Sequence, residues 1–364
     1  MSRIPYLPLA FCVVAFGASA AHCDAIADAQ PVALRLQSSP SVAISNGLID
    51  ATIAVPDATT GFYRGTRFDW SGMITKLCHG GQQFYGPWFD RISPSVRDYG
   101  YDGDALVAST ASAATGPTEE FDAIEDPLGF DAAKPGDSFV KIGIGALRRP
   151  DAAEYDHYRA YDFVDHGQWQ WRKIGRRGLI MSQELADHGS GYAYRYIKRI
   201  ELVAGAPRMI ISHSLMNRGR LAIHSTVYDH NFLTLDNHPT VAGLTLELPF
   251  TIQSDAPAAN AAIVGNRLTL ARTPGARESI AVAIRGYGPE AADNRIVMTS
   301  ANKQAAVTVT GDKPLEKLEL WSVQRVAAIE PFIRLDAAAG KTVQWRYVYD
   351  YRADGGAAPA ACSN

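Results

Sequence analysis

Two short blocks in the C-terminal half carry residue types suited to proton transfer. The first is Tyr228-Asp229-His230-Asn231-Phe232, at the end of a β-type run. In a strand, His224, Thr226, Tyr228 and His230 share one face, because side chains alternate. A histidine titrates near neutral pH and serves as a general acid there. The second block is Ile329-Glu330-Pro331-Phe332-Ile333-Arg334-Leu335. A carboxylate flanked by apolar residues is held in a cleft or core, where it must be paired or take a shifted pKa. Arg334, four residues on, shares a strand face with Glu330, as its partner or as a substrate ligand. The plainer readings are a structural histidine at a strand end and a surface Glu–Arg pair.

Other segments suit binding. Gly61-Phe62-Tyr63-Arg64-Gly65-Thr66-Arg67-Phe68-Asp69-Trp70-Ser71-Gly72 gathers glycines, two arginines and four aromatics. Aromatic faces stack on sugar C–H faces, and arginine donates paired hydrogen bonds to hydroxyls or carboxylates. The same segment also reads as a tight loop packing its aromatics in a core. Leu77-Cys78-His79-Gly80-Gly81 opens a second Gly-rich loop, which lacks the strand-to-helix context of a phosphate loop. Gly116-Pro117-Thr118-Glu119-Glu120-Phe121 reads as a paired-acid loop facing solvent. His157, His166, His188 and His238 read as scattered, mostly surface residues, and His213 as a satisfied core residue. There is no Cys/His cluster of zinc spacing, no Gly-x-Ser-x-Gly elbow and no His-Glu-x-x-His helix.

The elements that must position these residues are strands. Val42 to Ile53 contains an Asn46-Gly47 turn signal, and Phe139 to Leu147, Tyr158 to Val164, Tyr192 to Val203 and Met209 to Met216 follow. Ala204-Gly205-Ala206-Pro207-Arg208 joins the last two as a hairpin. Leu221 to Phe232, Thr245 to Phe250, Arg267 to Leu270, Ser279 to Arg285, Ala305 to Thr310, Leu315 to Val323 and Thr342 to Tyr349 complete the set. Helical periodicity is scarce. Dense strands punctuated by turns predict an all-β, antiparallel sandwich.

The ends of the chain read differently. Arg3, an apolar run from Leu7 to Phe16 and Ala18-Ser19-Ala20 have the layout of a secretory signal over residues 1–20. The run is shorter than the about 20 residues a membrane span needs. Cys12 and Cys23 follow bulky residues, unlike a lipoprotein anchor. A leader over 21–30, one sandwich domain over 31–352 and a Gly/Ala/Pro-rich disordered tail over 353–364 are expected. So is a periplasmic or extracellular destination. Hydrophobic content of 47% and charge of 20% fit a globular chain. The net charge of −3, with no basic cluster bearing interleaved aromatics, sets nucleic acid aside. One disulfide among Cys23, Cys78 and Cys362 is open in an oxidising compartment.

In this order the blocks resemble the galactose mutarotase-like (aldose 1-epimerase) superfamily over about residues 40–350. A bacterial branch shares Tyr63 to Gly72, Glu119 to Phe121, Phe139 to Gly145, Gly191 to Tyr194 and Tyr228 to Phe232. The resemblance implies a β supersandwich with a sugar cleft and a cofactor-free, metal-free isomerase. His230 would be the acid and Glu330 the base, facing one cleft from opposite sides, within about a sugar ring's span. Arg67, Tyr63, His79, Glu120, Tyr228, Asn231 and Arg334 would contact a small sugar or oligosaccharide. Asp229 stands where the characterised enzymes have Asn, and their Asn-Arg-Ile block is absent. Two rivals are a carbohydrate-binding protein without catalysis and a polysaccharide lyase-related enzyme acting on uronates.

Overall fold

A computed structural model describes residues 28–234 and 241–354. The expected signal segment, residues 21–27 of the leader, residues 355–364 of the tail and His238 lie outside them. The regular structure of the described residues is almost all β-strand, with one short α-helix, Val32–Ser38, and one 3-10 turn, Ala291–Asp293. Two sheets dominate. A ten-stranded antiparallel sheet runs in the order Gln168–Ile174, Gly178–Ala186, Ala193–Leu202, Arg208–Asn217, Thr342–Ala353, Ala305–Gly311, Arg295–Thr299, Thr245–Glu247, Arg267–Leu270, Ala261–Val264. A five-stranded sheet runs Ile280–Ile284, Lys317–Val323, Val326–Ala337, Ile223–Leu233, Gly116–Phe121. Smaller sheets flank them.

Local sequence explains these elements. Asn46 Oδ1 accepts the amides of Leu48 (3.0 Å) and Ile49 (2.8 Å), and Gly47 takes φ +86°, so the chain reverses between Ser41–Ser45 and Ile49–Ala54. Gly205 (φ +69°) turns the hairpin between Ala193–Leu202 and Arg208–Asn217. In Ala193–Leu202 every second residue, Tyr194, Tyr196, Lys198, Ile200 and Leu202, is buried. That stripe packs on the five-stranded sheet: Phe121 lies edge-on to Tyr196 at 5.4 Å and to Trp345 at 6.1 Å.

The five-stranded sheet is therefore a middle layer. One face meets the large sheet, and the other is covered by segments from the first half of the chain. Gly116–Phe121 is buried throughout. Its paired acids are thus not a solvent-facing loop: Glu119 points into the sandwich and Glu120 to the outer face, as strand alternation requires. The nucleic-acid exclusion also needs correcting in its premise. The edge strand Gln168–Ile174 and its turn carry Trp169, Trp171, Arg172, Lys173, Arg176 and Arg177, a basic run with interleaved aromatics. Its place at a sheet edge gives it a structural reading, because charge on an edge strand blocks further strand pairing.

Candidate active site

On the outer face of the five-stranded sheet lies a cavity of about 210 Å³. The strand Ile223–Leu233 contributes Tyr228, His230 and Phe232, and Val326–Ala337 contributes Glu330 and Phe332. Lys317–Val323 contributes Lys317, Glu319 and Trp321, and Gly116–Phe121 contributes Glu120. All obey the period of two. Register does the rest. Tyr228 pairs with Phe332 and Asn231 with Ile329, so His230 sits directly across from Glu330. His230 Nε2 is 3.2 Å from Glu330 Oε1, and the side chains are 5% and 10% exposed.

The imidazole is fixed by rings. It stacks on Phe232 at 3.7 Å and meets Trp321 and Phe68 edge-on at 5.5 and 5.7 Å. Its Nδ1 is buried and has no hydrogen-bond partner. Burial, with the nearby Arg67 cation, holds the His230 pKa well below the usual histidine value. Burial pushes the Glu330 carboxyl up to about 8. Both shifts favour the uncharged forms. At neutral pH the pair therefore carries one exchangeable proton, resting on Glu330.

Beside this pair Glu120 anchors the cavity wall. It accepts from Arg67 Nε at 2.8 Å and from the Tyr228 hydroxyl at 2.6 Å, with His157 Nδ1 at 3.1 Å and Lys141 Nζ at 3.6 Å. Burial alone would raise its pKa, but the surrounding cations outweigh it and hold it well below the usual range. Arg67 Nη2 also donates to the Tyr228 hydroxyl at 3.2 Å, and its guanidinium lies 4.5 Å over the Phe68 ring. Two of its five N–H donors are thus committed within the protein, and Glu120 balances its charge. Lys317 caps the Phe332 ring at 4.6 Å, which itself stacks on Tyr228 at 4.3 Å.

His230, Glu330, Arg67, Glu120 and Tyr228 thus converge. The other expected residues do not. The Tyr63 hydroxyl donates to Ala111 O (2.8 Å) and accepts the Phe68 amide (3.0 Å), bracing the 63–68 turn from within. His79 ends a strand of a different sheet, with Nδ1 2.8 Å from Leu48 O. Asn231 has the wrong parity: it faces away from His230, and its Nδ2 donates to Asp229 O and Ile329 O. Arg334 shares the face of Glu330 but sits exposed beyond the cavity, 3.6 Å from Glu316. Acid and base share one cleft and lie within a sugar ring's span, but as neighbours on adjacent strands and not on opposite sides of the cleft.

Sequence reading missed His157, taken for a surface residue, together with Tyr158, Asp98, Lys317, Glu319 and Trp321. Lys317, Glu319 and Trp321 alternate along an expected strand, so period two marked them as one face. Which face became visible only through pairing, where Glu319 opposes Glu330. Among the described residues no group of three or more His, Cys, Asp or Glu side chains is placed to hold a metal, and no helix is long and apolar enough to cross a membrane.

Comparison with family models and with curated proteins returns no match. Solved structures do match. The Slr1438 protein from Synechocystis sp. PCC 6803 aligns at 12% identity and a TM-score of 0.50, over 86% of this chain and 96% of its own. A galactose mutarotase-like protein from Lactobacillus casei ATCC 334 aligns at 13% identity and a TM-score of 0.50, over 86% and 100%. The chain has the galactose mutarotase-like fold. In this chain the five-stranded sheet of that fold supplies the cavity described above.

Proposed function

We propose that the protein interconverts the anomers of a free sugar at the His230–Glu330 pair. The observation that carries this reading is the 3.2 Å contact between a buried imidazole and a buried carboxyl inside a small cavity. Anomer exchange needs a proton removed from the anomeric hydroxyl while another is delivered to the ring oxygen. Both oxygens are bonded to the same carbon. An acid and a base side by side can therefore reach both, and the contact distance suits the reaction better than a ring-wide gap would.

One shared proton is the protonation state such bifunctional chemistry requires. With the proton on Glu330, this carboxyl protonates the ring oxygen while neutral His230 takes the hydroxyl proton. The bond from the anomeric carbon to the ring oxygen breaks, leaving an open-chain aldehyde. After rotation about the adjacent carbon–carbon bond, the ring oxygen attacks the other face. His230 then returns its proton and Glu330 regains its own. Within each cycle both residues act as acid and as base, and the opening step runs in the sense opposite to the family assignment. Arg67 is held by Glu120 and Tyr228, so it serves to fix the wall, which favours this reading over neutralisation of a uronate in a lyase. Export to an oxidising compartment belongs to the same reading, and a disulfide at Cys78 is in keeping with it.

The test is polarimetry of freshly dissolved aldoses with the buffer rate subtracted. The pH profile has a definite sign. Glu330 is protonated below about 8, so kcat/KM should fall as pH rises through that value. A wild-type protein that accelerates no aldose over buffer would end the isomerase reading.

A further inference from the structure

A second and larger cavity, of about 450 Å³, shares no lining residue with the first. One wall is aromatic. Phe163 and His166 lie 4.1 Å apart with rings inclined by 33°, and Trp70 meets them at 5.4 and 5.2 Å. Trp70 is locked there, because its indole N–H donates to Gly65 O at 2.8 Å. Phe163 and His166 remain partly open to solvent. The other wall carries two cations, Arg35 from the helix Val32–Ser38 and Arg64 from the loop after Phe62.

These two arginines line the same cavity. Among the described residues neither has a carboxylate within 4.0 Å, whereas most other arginines of the chain do. Arg64 spends one N–H on Thr59 O, and its charge also reaches the Asp57 carboxylate, beyond 4.0 Å. Arg35 is half-buried and feels the Arg64 charge as repulsion. Like charges left together beside an aromatic wall gain from an anion that bridges them, since guanidinium–carboxylate hydrogen bonds are charge-assisted and paired. The rings meanwhile offer apolar faces to C–H surfaces.

We infer that this cleft is a second saccharide site, separate from the His230–Glu330 cavity, that holds a sugar ring bearing a carboxylate. The acid group lies between Arg35 and Arg64, and the ring packs against Phe163 and His166. The first cavity is lined by a single guanidinium, Arg67, whose charge Glu120 balances. The two sites thus differ in charge preference, and the second does not depend on the isomerase reading.

Calorimetric titration of the full chain separates the possibilities. The probes are a galacturonate disaccharide, the matching neutral galactose disaccharide, galactose sulfate and inorganic sulfate. The uronate should bind, weaken with added salt, and lose about tenfold or more in affinity in each of Arg35→Ala and Arg64→Ala. Phe163→Ala should weaken the uronate and leave inorganic sulfate unaffected. Thermal melts verify that each variant is folded, and anomer exchange by the same variants should match wild type. The inference is overturned if the uronate fails to bind, if the Arg variants bind it as wild type does, or if the neutral disaccharide binds equally well. It is also overturned if either sulfate probe matches the uronate, which would make this a general anion site. Failure of anomer exchange alone would remove the isomerase reading and leave this site standing.

Discussion

Replacing Glu330 with Gln should slow anomer exchange by about 10²–10⁴-fold, the usual contribution of a positioned acid–base group. The loss should fall on kcat with KM little changed, because the substitution keeps shape and polarity and removes only the titrating proton. Stability should hold. Glu330 is neutral at pH 7 in the native protein, since burial raises its pKa to about 8, so a neutral amide leaves no new buried charge. The fall in rate above pH about 8 should vanish in the residual activity of the variant. His230→Gln should produce a comparable loss. His230→Ala is a poorer probe, because it also removes the ring stacked on Phe232 and opens a void. A Glu330→Gln protein within about twofold of wild type would show that the carboxyl moves no proton in the reaction.

The architecture was legible in the sequence where one strand face is buried and the other is wet. Ala193–Leu202 and Arg208–Asn217 alternate, and their hairpin turn contains Gly205, so they stand out within a residue or two of their ends. Val326–Ala337 does not alternate, because the sandwich lies on one side and covering segments on the other, and eleven-residue Ile223–Leu233 is nearly the same. Strands buried on both faces read as plain apolar runs. The fold thus hid its pattern in the two strands that carry His230 and Glu330. Parity within each strand was readable, so the grouping of Tyr228 with His230 could be derived from the chain alone. The partnership of His230 with Glu330 is a matter of register between strands a hundred residues apart, and no local signal encodes it.

The same limit explains the misplaced residues. Tyr63 and His79 have side chains that suit sugar binding, but chemistry alone does not say whether a hydroxyl faces a ligand or a backbone carbonyl. Tyr63 spends its hydroxyl on Ala111 O, inside the turn that presents Arg67. Asn231 was separable by parity, since alternation puts it on the face opposite His230. His157 carried no periodic signal at all. It lies in an irregular segment after Tyr155, and only the folded chain brings its ring to Glu120.

The largest stability effect is expected at Lys198, in the layer behind the site. Lys198, Glu119 and Asp69 are completely buried between the sheets. The ammonium contacts Glu119 directly, donates to Ser71 O at 2.9 Å and lies 3.8 Å from Asp69. His213 Nε2 completes the Glu119 shell at 2.6 Å. Burial pushes Asp69 up to about 7, while for Glu119 the adjacent Lys198 and His213 overcome burial and hold it at about 2. Lys198→Met would leave the Glu119 anion with only the His213 imidazole beside it in a dry interior. Removing one partner of a buried pair costs about 3–5 kcal/mol, a large part of a typical domain's stability. Adding Glu119→Gln should return much of that loss, since the uncompensated charge goes with it, and urea unfolding of the two variants would show this as a double variant more stable than the single. The pH dependence has a sign as well. Glu119 is depressed from 4.5 unfolded to about 2 folded, so its contribution is full above about 4.5 and is lost as pH falls toward about 2. The deficit of Lys198→Met should therefore narrow in acid. Because Glu119 and Asp229 face the sandwich while their neighbours Glu120 and His230 face the cavity, a strand that shifts to relieve the buried charge must move the catalytic face with it. Lys198→Met should thus lower anomer exchange even at temperatures where it stays folded, and unchanged activity in the folded variant would show that the two faces of the sheet are energetically independent.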